Sequence, residues 1–240
     1  MVRMDVLYFM GVAMTLAFAG AATDYCAICS DHTLCLYQNA SSSCQNLTSR
    51  NLTSEEQAGV VAAHNEIRNQ IASGQVNNGT NGGQPSATNM HRLYWDDEIA
   101  AIAQRWATQC KFQHDTCRNS ADGTYVGQNI LITTDTSSTL SSILEESAQA
   151  WFSEVASYNA SLASQPYVFD ENTGHYTQMA WATTTRVGCG YADYGQSSRS
   201  RLVVCNYKEG GNVIGEVMYA SGSAASQCTT ADSTYTSLCA

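Results

Sequence analysis

The chain has 240 residues, ten of them cysteine, and a formal net charge of −10. That length carries one domain with a short appendage and buries a full hydrophobic core, so the cysteines are not making up for a core that is too small. The acidic balance, with no Lys/Arg cluster to offset it, repels phosphate backbones and excludes nucleic acid as a partner.

Residues 6–22, VLYFMGVAMTLAFAGAA, are uncharged and largely apolar, follow Arg3, and end among small residues (Ala17, Ala19, Ala21, Ala22). This pattern predicts a signal peptide over residues 1–22, cleaved near Ala22 or Thr23; the alternative is an uncleaved anchor. Removing Arg3 and Asp5 together leaves the net charge unchanged. No later segment is long and apolar enough to span a bilayer, so the expectation is a soluble, secreted, extracellular protein with no integral membrane association. An even cysteine count behind an export signal reads as a disulfide framework.

Residues 23–53 form a Cys-rich N-terminal extension with Cys26, Cys29, Cys35 and Cys44 in a polar Ser/Asn-rich setting and little apolar periodicity. Cys26 and Cys29 make a C-x-x-C, which in the cytosol suggests redox chemistry or zinc and here reads as structural disulfide. Five N-x-S/T sequons begin at Asn39, Asn46, Asn51, Asn78 and Asn159. Three lie between Cys35 and the first long helix, which places that stretch on the surface of a glycoprotein.

A helix starts near Ser54, where Thr53 and Glu56 have capping-box spacing. Val60, His64, Ile67 and Ile71 then share one face, and Gly74 is the stop signal. His64 therefore sits in the apolar stripe, as a core histidine with a backbone partner or as a pocket residue. Residues 75–89 are a polar Gly/Asn loop. A second helix opens at Asp96 or Asp97 and runs through Ile99, Ile102, Ala103, Trp106 and Cys110. After irregular chain holding Cys117, Val126 to Ile132 reads as a strand. A third helix covers roughly 140–158, with Leu144, Ala148, Trp151 and Val155 on one face and Glu154 beside it. Val187–Tyr194, Leu202–Tyr207 and Val213–Tyr219 are strand candidates. Residues 220–240 are a Ser/Thr/Ala-rich tail with Cys228 and Cys239. Helices and strands do not alternate regularly, which argues against a doubly wound sheet and for an α+β, three-layer α-β-α sandwich. No G-x-S-x-G elbow, H-E-x-x-H, Walker or dinucleotide fingerprint occurs, and no spacing supports a serine nucleophile such as Ser153.

The segments GHYTQMAWATTTRVGCGYA (174–192) and LVVCNYKEGGNVIGEVMY (202–219) closely resemble the two signature motifs of the CAP superfamily: cysteine-rich secretory proteins, antigen 5 and pathogenesis-related 1. HNEIRNQIASGQ (64–75), NMHRLYWDDEIAAIAQRWATQC (89–110) and HDTCRNSADGTYVGQNI (114–130) are similar to the insect antigen 5 branch, as are the N-terminal cysteine cluster and the late cysteine pair. The resemblance covers residues 24–240 and assigns 54–219 to the CAP domain. It implies the α-β-α sandwich and the pairs Cys26–Cys35, Cys29–Cys117, Cys44–Cys110 and Cys189–Cys205, which leaves Cys228 with Cys239. No free thiol then remains for catalysis.

The resemblance also implies a cleft with two histidines and two acids. The histidines map to His64 and His175 and one acid to Glu154; the other falls in a G-E-N motif that reads Gly127-Gln128-Asn129 here. Two imidazoles can hold zinc or copper with water completing the shell, and carboxylates orient the rings or act as general base. Gln128 removes one charge and one base, so no cofactor is required and any Zn or Cu binding is weak; the other reading is a hydrogen-bonded polar cleft without metal. Tyr176, Gln178 and Trp181 line or buttress it. His32, His91 and His114 read as ordinary surface or structural residues.

By this resemblance the chain is expected to be a secreted binding or effector protein rather than an enzyme. It would be a salivary or venom component acting on host haemostasis or immunity through a small hydrophobic ligand, a metal ion or a host protein. Relatives of this branch are often allergens. The alternative is a metal-dependent hydrolase or protease using His64, His175 and Glu154, with Gln128 counting against it. Integrin binding through Arg-Gly-Asp is excluded because the tripeptide is missing. The channel-blocking activity of some relatives belongs to a further cysteine-rich domain, and too few residues follow Tyr219 to form one.

Overall fold

A computed structural model describes residues 23–240 of the chain; the expected signal peptide lies outside the described residues. Two one-turn helices, α1 (Tyr25–Ile28) and α2 (Thr33–Leu36), occupy the N-terminal extension. The long helix α3 (Ser54–Ala72) begins with the capping box expected of Thr53 and Glu56, each side chain bonding the other's backbone N–H. It ends at Gly74, whose φ of +74° is the left-handed conformation that closes a helix at little steric cost to glycine. A two-residue strand β1 (Tyr94–Trp95) leads into α4 (Asp97–Ala107), capped by the Asp96 carboxylate. Then come β2 (Gly127–Thr133), α5 (Leu140–Ser153), the short α6 (Gly174–Met179), β3 (Arg186–Tyr194) and β4 (Ser200–Lys208).

The sheet has strand order β1-β3-β4-β2, with β1 parallel to β3 and the other pairs antiparallel. The period-2 alternation of the strands sends side chains to two helical layers. Val187, Cys189, Tyr191, Val203, Cys205 and Tyr207 face the larger core with α3, α5 and α6. Ala192, Leu202, Val204 and Ile130 face α4. The α4 layer sits unusually close to the sheet because Gly188 and Gly190 carry no side chain. A Cβ on Gly190 would lie 2.3 Å from Gln104 Cα, and one on Gly188 2.5 Å from Ala100 N.

The architecture is the expected α-β-α sandwich, with three local differences. α4 stops at Ala107 rather than Cys110, whose positive φ of 55° breaks the helix. α5 ends at Ser153, and Glu154–Ser157 tighten into a 3-10 turn. Val213–Tyr219 is not a strand of the sheet; it is a loop that makes an isolated bridge from Val217 to Pro166.

The cystines are Cys26–Cys35, Cys29–Cys117, Cys44–Cys110, Cys189–Cys205 and Cys228–Cys239. Cys29–Cys117 spans a sequence separation of 88, and a closure of that size removes roughly 4.6 kcal/mol of chain entropy from the unfolded state. The C-terminal segment is not a loose appendage. Leu238 is fully buried in the main core, Cys239 bonds through its backbone to Met90 and Arg92, and Arg92 pairs with Asp232 at 2.8 Å.

Candidate functional site

The 3-10 turn that ends α5 delivers Glu154 to the first turn of α6. There Glu154 Oε2 accepts the backbone N–H groups of His175 (2.9 Å) and Tyr176 (3.0 Å), and Oε1 accepts His175 Nδ1–H at 2.6 Å. A carboxylate against free amides at a helix start is electrostatically favoured. The contact also fixes the His175 tautomer, because a carboxylate can only accept, and leaves Nε2 with its lone pair. The His175 side chain is 32% exposed, so that nitrogen borders solvent.

His64 is somewhere else. It is 1% exposed, its Nδ1–H donates to Val60 O at 2.8 Å, and its Nε2 accepts the Tyr207 hydroxyl at 2.9 Å. The Trp151 ring packs against both histidines, 6.4 Å from His64 and 6.1 Å from His175 by ring centroids. Burial pushes the His64 pKa down to about 4, which keeps the ring neutral. With both nitrogens committed inside the core, His64 is a core residue, and its assignment as a metal ligand is corrected here.

The second cleft imidazole is His114. Residues His114, Gln128, Asn129, Phe169, Glu171 and His175 border one cleft of about 240 Å³ at the outer strand β2. His114 Nδ1–H donates to Gln128 Oε1 at 2.8 Å, which again leaves Nε2 free. The ring edge turned toward Gln128 is partly desolvated, and this lowers the His114 pKa below the ordinary imidazole value. His114, expected as an ordinary surface or structural histidine, is thus brought into the cleft beside His175. His32 and His91 lie outside the cleft. His32 caps α2 by accepting the Leu34 N–H and bonds Asn119 O.

Gln128 anchors a buried network. Its Nε2 donates to Asp115 Oδ1 (3.1 Å) and Asn206 Oδ1 (3.0 Å). Asn206 cannot turn its amide around, because its Nδ2 is held by Ile99 O at 3.1 Å. Asp115 is buried, pairs with Arg118 at 2.5 Å, and accepts the Thr33 hydroxyl from α2. An acid at position 128 would face Asp115 with no donor between them, which gives a physical reason for the amide. The N-terminal extension thus reaches the site: Thr33 and the Cys29–Cys117 bridge pin the segment that carries His114.

Tyr176 and Gln178 do not open into the cleft. Tyr176 is fully buried and Gln178 is 2% exposed. Gln178 Oε1 accepts the Gly211 N–H at 3.0 Å and its amide packs on Gly127, so it clamps the two chain segments beneath the site. Trp181, 1% exposed, packs beside Gly211. Buried in this way, Tyr176, Gln178 and Trp181 do not line the cleft, and of the two roles expected of them the buttressing one is left. The Ser153 hydroxyl donates to Ala150 O at 2.7 Å. One further cluster of ligand-type side chains among the described residues, Cys29, Asp31 and Cys117, offers no thiolate because its cysteines are bonded to each other.

Residues 61–207 match the cysteine-rich secretory protein family, CAP. Venom allergen 5 of Microctonus hyperodae is 40% identical over 193 residues, covering 78% of this chain and 82% of its own length. Venom allergen 3 of Solenopsis invicta is 39% identical over 213 residues, with 82% and 89% covered. Among solved structures, that of NaASP2 with Zn2+ superposes with a TM-score of 0.68 at 28% identity over 80% of this chain and 98% of its own. Matched over most of its length by venom allergens and by the family's conserved region, the chain belongs to the CAP family, in its antigen 5 branch.

Proposed function

We propose that the protein is a secreted, non-catalytic binding protein of the venom or salivary kind, whose His114/His175 cleft holds a ligand without turning it over. The observation that carries this reading is the state of Glu154. Its two oxygens take three hydrogen bonds from His175 and Tyr176, so it orients an imidazole and is not poised as a general base. The other acid expected at such a site is Gln128, whose polar atoms are occupied by His114, Asp115 and Asn206.

The donor set suits a weakly held divalent ion. The free Nε2 atoms of His114 and His175 are borderline ligands appropriate to zinc or copper, and Glu171 stands on the rim. The solved structure of NaASP2 with Zn2+, which shares this fold, supports this assignment. Bound there, the ion would supply a fixed positive charge for an anionic or carbonyl ligand group. His175 is held ready by Glu154 and His114 by Gln128, both through the nitrogen that faces the protein.

The five cystines fit folding in an oxidising compartment, and no helix of the described residues is long and apolar enough to cross a membrane. The groove between α3 and α5, about 530 Å³, is bordered by Glu66, Glu145 and Glu146. That charge disfavours a fatty-acid carboxylate there and favours a protein partner for the molecule. The purified protein incubated with an unstructured polypeptide and added zinc is expected to show no cleavage. Robust cleavage that Glu154→Ala abolishes would overturn the reading in favour of a hydrolase.

A further inference from the structure

Beside the cleft, two loops meet edge to edge. Tyr167 N–H donates to Glu216 O at 2.6 Å, Gly215 N–H donates to Tyr167 O at 2.9 Å, and Pro166 bridges Val217. This pairing sets Val168 next to Ile214 and leaves both outside the core, 78% and 75% exposed. Phe169 continues the ridge to the cleft rim at 59% exposure, with its ring against Gly174. On the other side Leu162, 49% exposed, and Val168 border a small pocket of about 120 Å³. Isolated exposed aliphatics are ordinary; several on adjoining loops that border two cavities are the pattern of a contact surface.

The charge around the ridge is of one sign. Asp170, Glu171 and Glu216 are exposed on these loops and, among the described residues, make no ion pair with Lys or Arg. Residues 119–185 and 209–240 contain no lysine or arginine at all. We infer that this ridge is a docking surface for a protein segment that carries apolar side chains flanked by lysine or arginine. Its apolar side chains cover Val168, Ile214 and Leu162, and its cations meet Asp170, Glu171 and Glu216. A second copy of this chain is a poor occupant, because a two-fold contact would set the same carboxylates against each other. An anionic lipid surface is repelled for the same reason, since membrane-binding patches of this kind carry the opposite charge. The surface extends the binding role beyond the imidazole cleft and does not depend on its metal chemistry.

The test uses an amphipathic peptide of Lys and Leu, the same peptide with Glu for Lys, and phosphatidylcholine vesicles, each titrated by calorimetry into the whole protein. Saturable, salt-sensitive binding of the Lys/Leu peptide alone is expected. It should weaken at least tenfold in Val168→Ser/Ile214→Ser and in Asp170→Lys/Glu216→Lys. It should change less than twofold in Glu145→Lys/Glu146→Lys, which alters the same total charge on the α3–α5 groove. Equal weakening in that control would show attraction to net charge only and overturn the proposal. So would unaltered binding in the ridge variants, no saturable binding of the Lys/Leu peptide, equal binding of the Glu/Leu peptide, or vesicle binding that the ridge variants abolish. The substituted side chains are exposed, and thermal melts check that the fold is kept. A His114→Ala/His175→Ala protein should bind the peptide as wild type does, so the ridge and the cleft can fail separately.

Discussion

His64 and His175 pack against the same tryptophan ring and have opposite fates. His64 has both nitrogens bonded inside the core, while His175 has one tied to Glu154 and the other facing solvent. A buried imidazole with two good partners is part of the packing, and an imidazole fixed at one nitrogen is a presented ligand. The two regions touch through Asn129, whose amide donates to His175 O at 3.0 Å and to the Tyr207 hydroxyl at 3.4 Å. The core therefore holds the cleft in position without sharing its chemistry.

The contrast breaks first under truncation of the core histidine. His64→Ala empties space beside Trp151 and leaves the Tyr207 hydroxyl without its acceptor, for an expected loss of about 4 kcal/mol in denaturant unfolding. A loss near zero would place His64 outside the packing.

The pH dependence comes next. The folded His64 pKa is about 4, below its ordinary value of 6.5. Between these values the unfolded chain binds the extra proton, so stability is full above pH 6.5 and falls as pH drops toward 4. The total from this one group is about 3 kcal/mol. In a His64 variant that portion of the slope should disappear from unfolding curves measured across this range.

Gln128→Glu is expected to act more mildly. The new carboxylate faces Asp115 and the fixed Asn206 oxygen, costing about 2 kcal/mol at neutral pH. Stability should recover in acid, where the two carboxyls share a proton. A stabilised variant would mean that position 128 tolerates the acid as it stands.

The smallest effect on stability belongs to the cleft. His114→Ala and His175→Ala each remove a side chain that borders solvent, and their melting curves should shift by no more than about 0.5 kcal/mol.

The sequence was legible where local physics decides the outcome. The Thr53/Glu56 capping box, the Asp96 cap and the apolar alternation of β3 and β4 each name their element. His64 was half legible, because its place in the apolar stripe of α3 argues for burial, yet family position drew it into the cleft. His114 carries no such signal. It lies in an irregular segment, and only the long-range bond to Gln128 and the Thr33–Asp115 and Cys29–Cys117 links reveal its role. A short Gln-His-Asp run beside a disulfide could have raised it as a candidate. The 213–219 segment alternates like a strand, but its register is taken by the 166–167 loop rather than by the sheet. Two-residue β1 and six-residue α6 are too short for any periodicity to show.

The most direct test of the central claim is a zinc titration, followed by calorimetry, of wild type, His114→Ala, His175→Ala and Tyr207→Phe. Saturable binding in wild type that is lost in both alanine variants and kept in Tyr207→Phe, which removes the hydroxyl bonded by His64 and Asn129 and leaves both cleft imidazoles in place, is the predicted result. An isotherm that survives His114→Ala, or one abolished by Tyr207→Phe in a folded protein, would contradict the account.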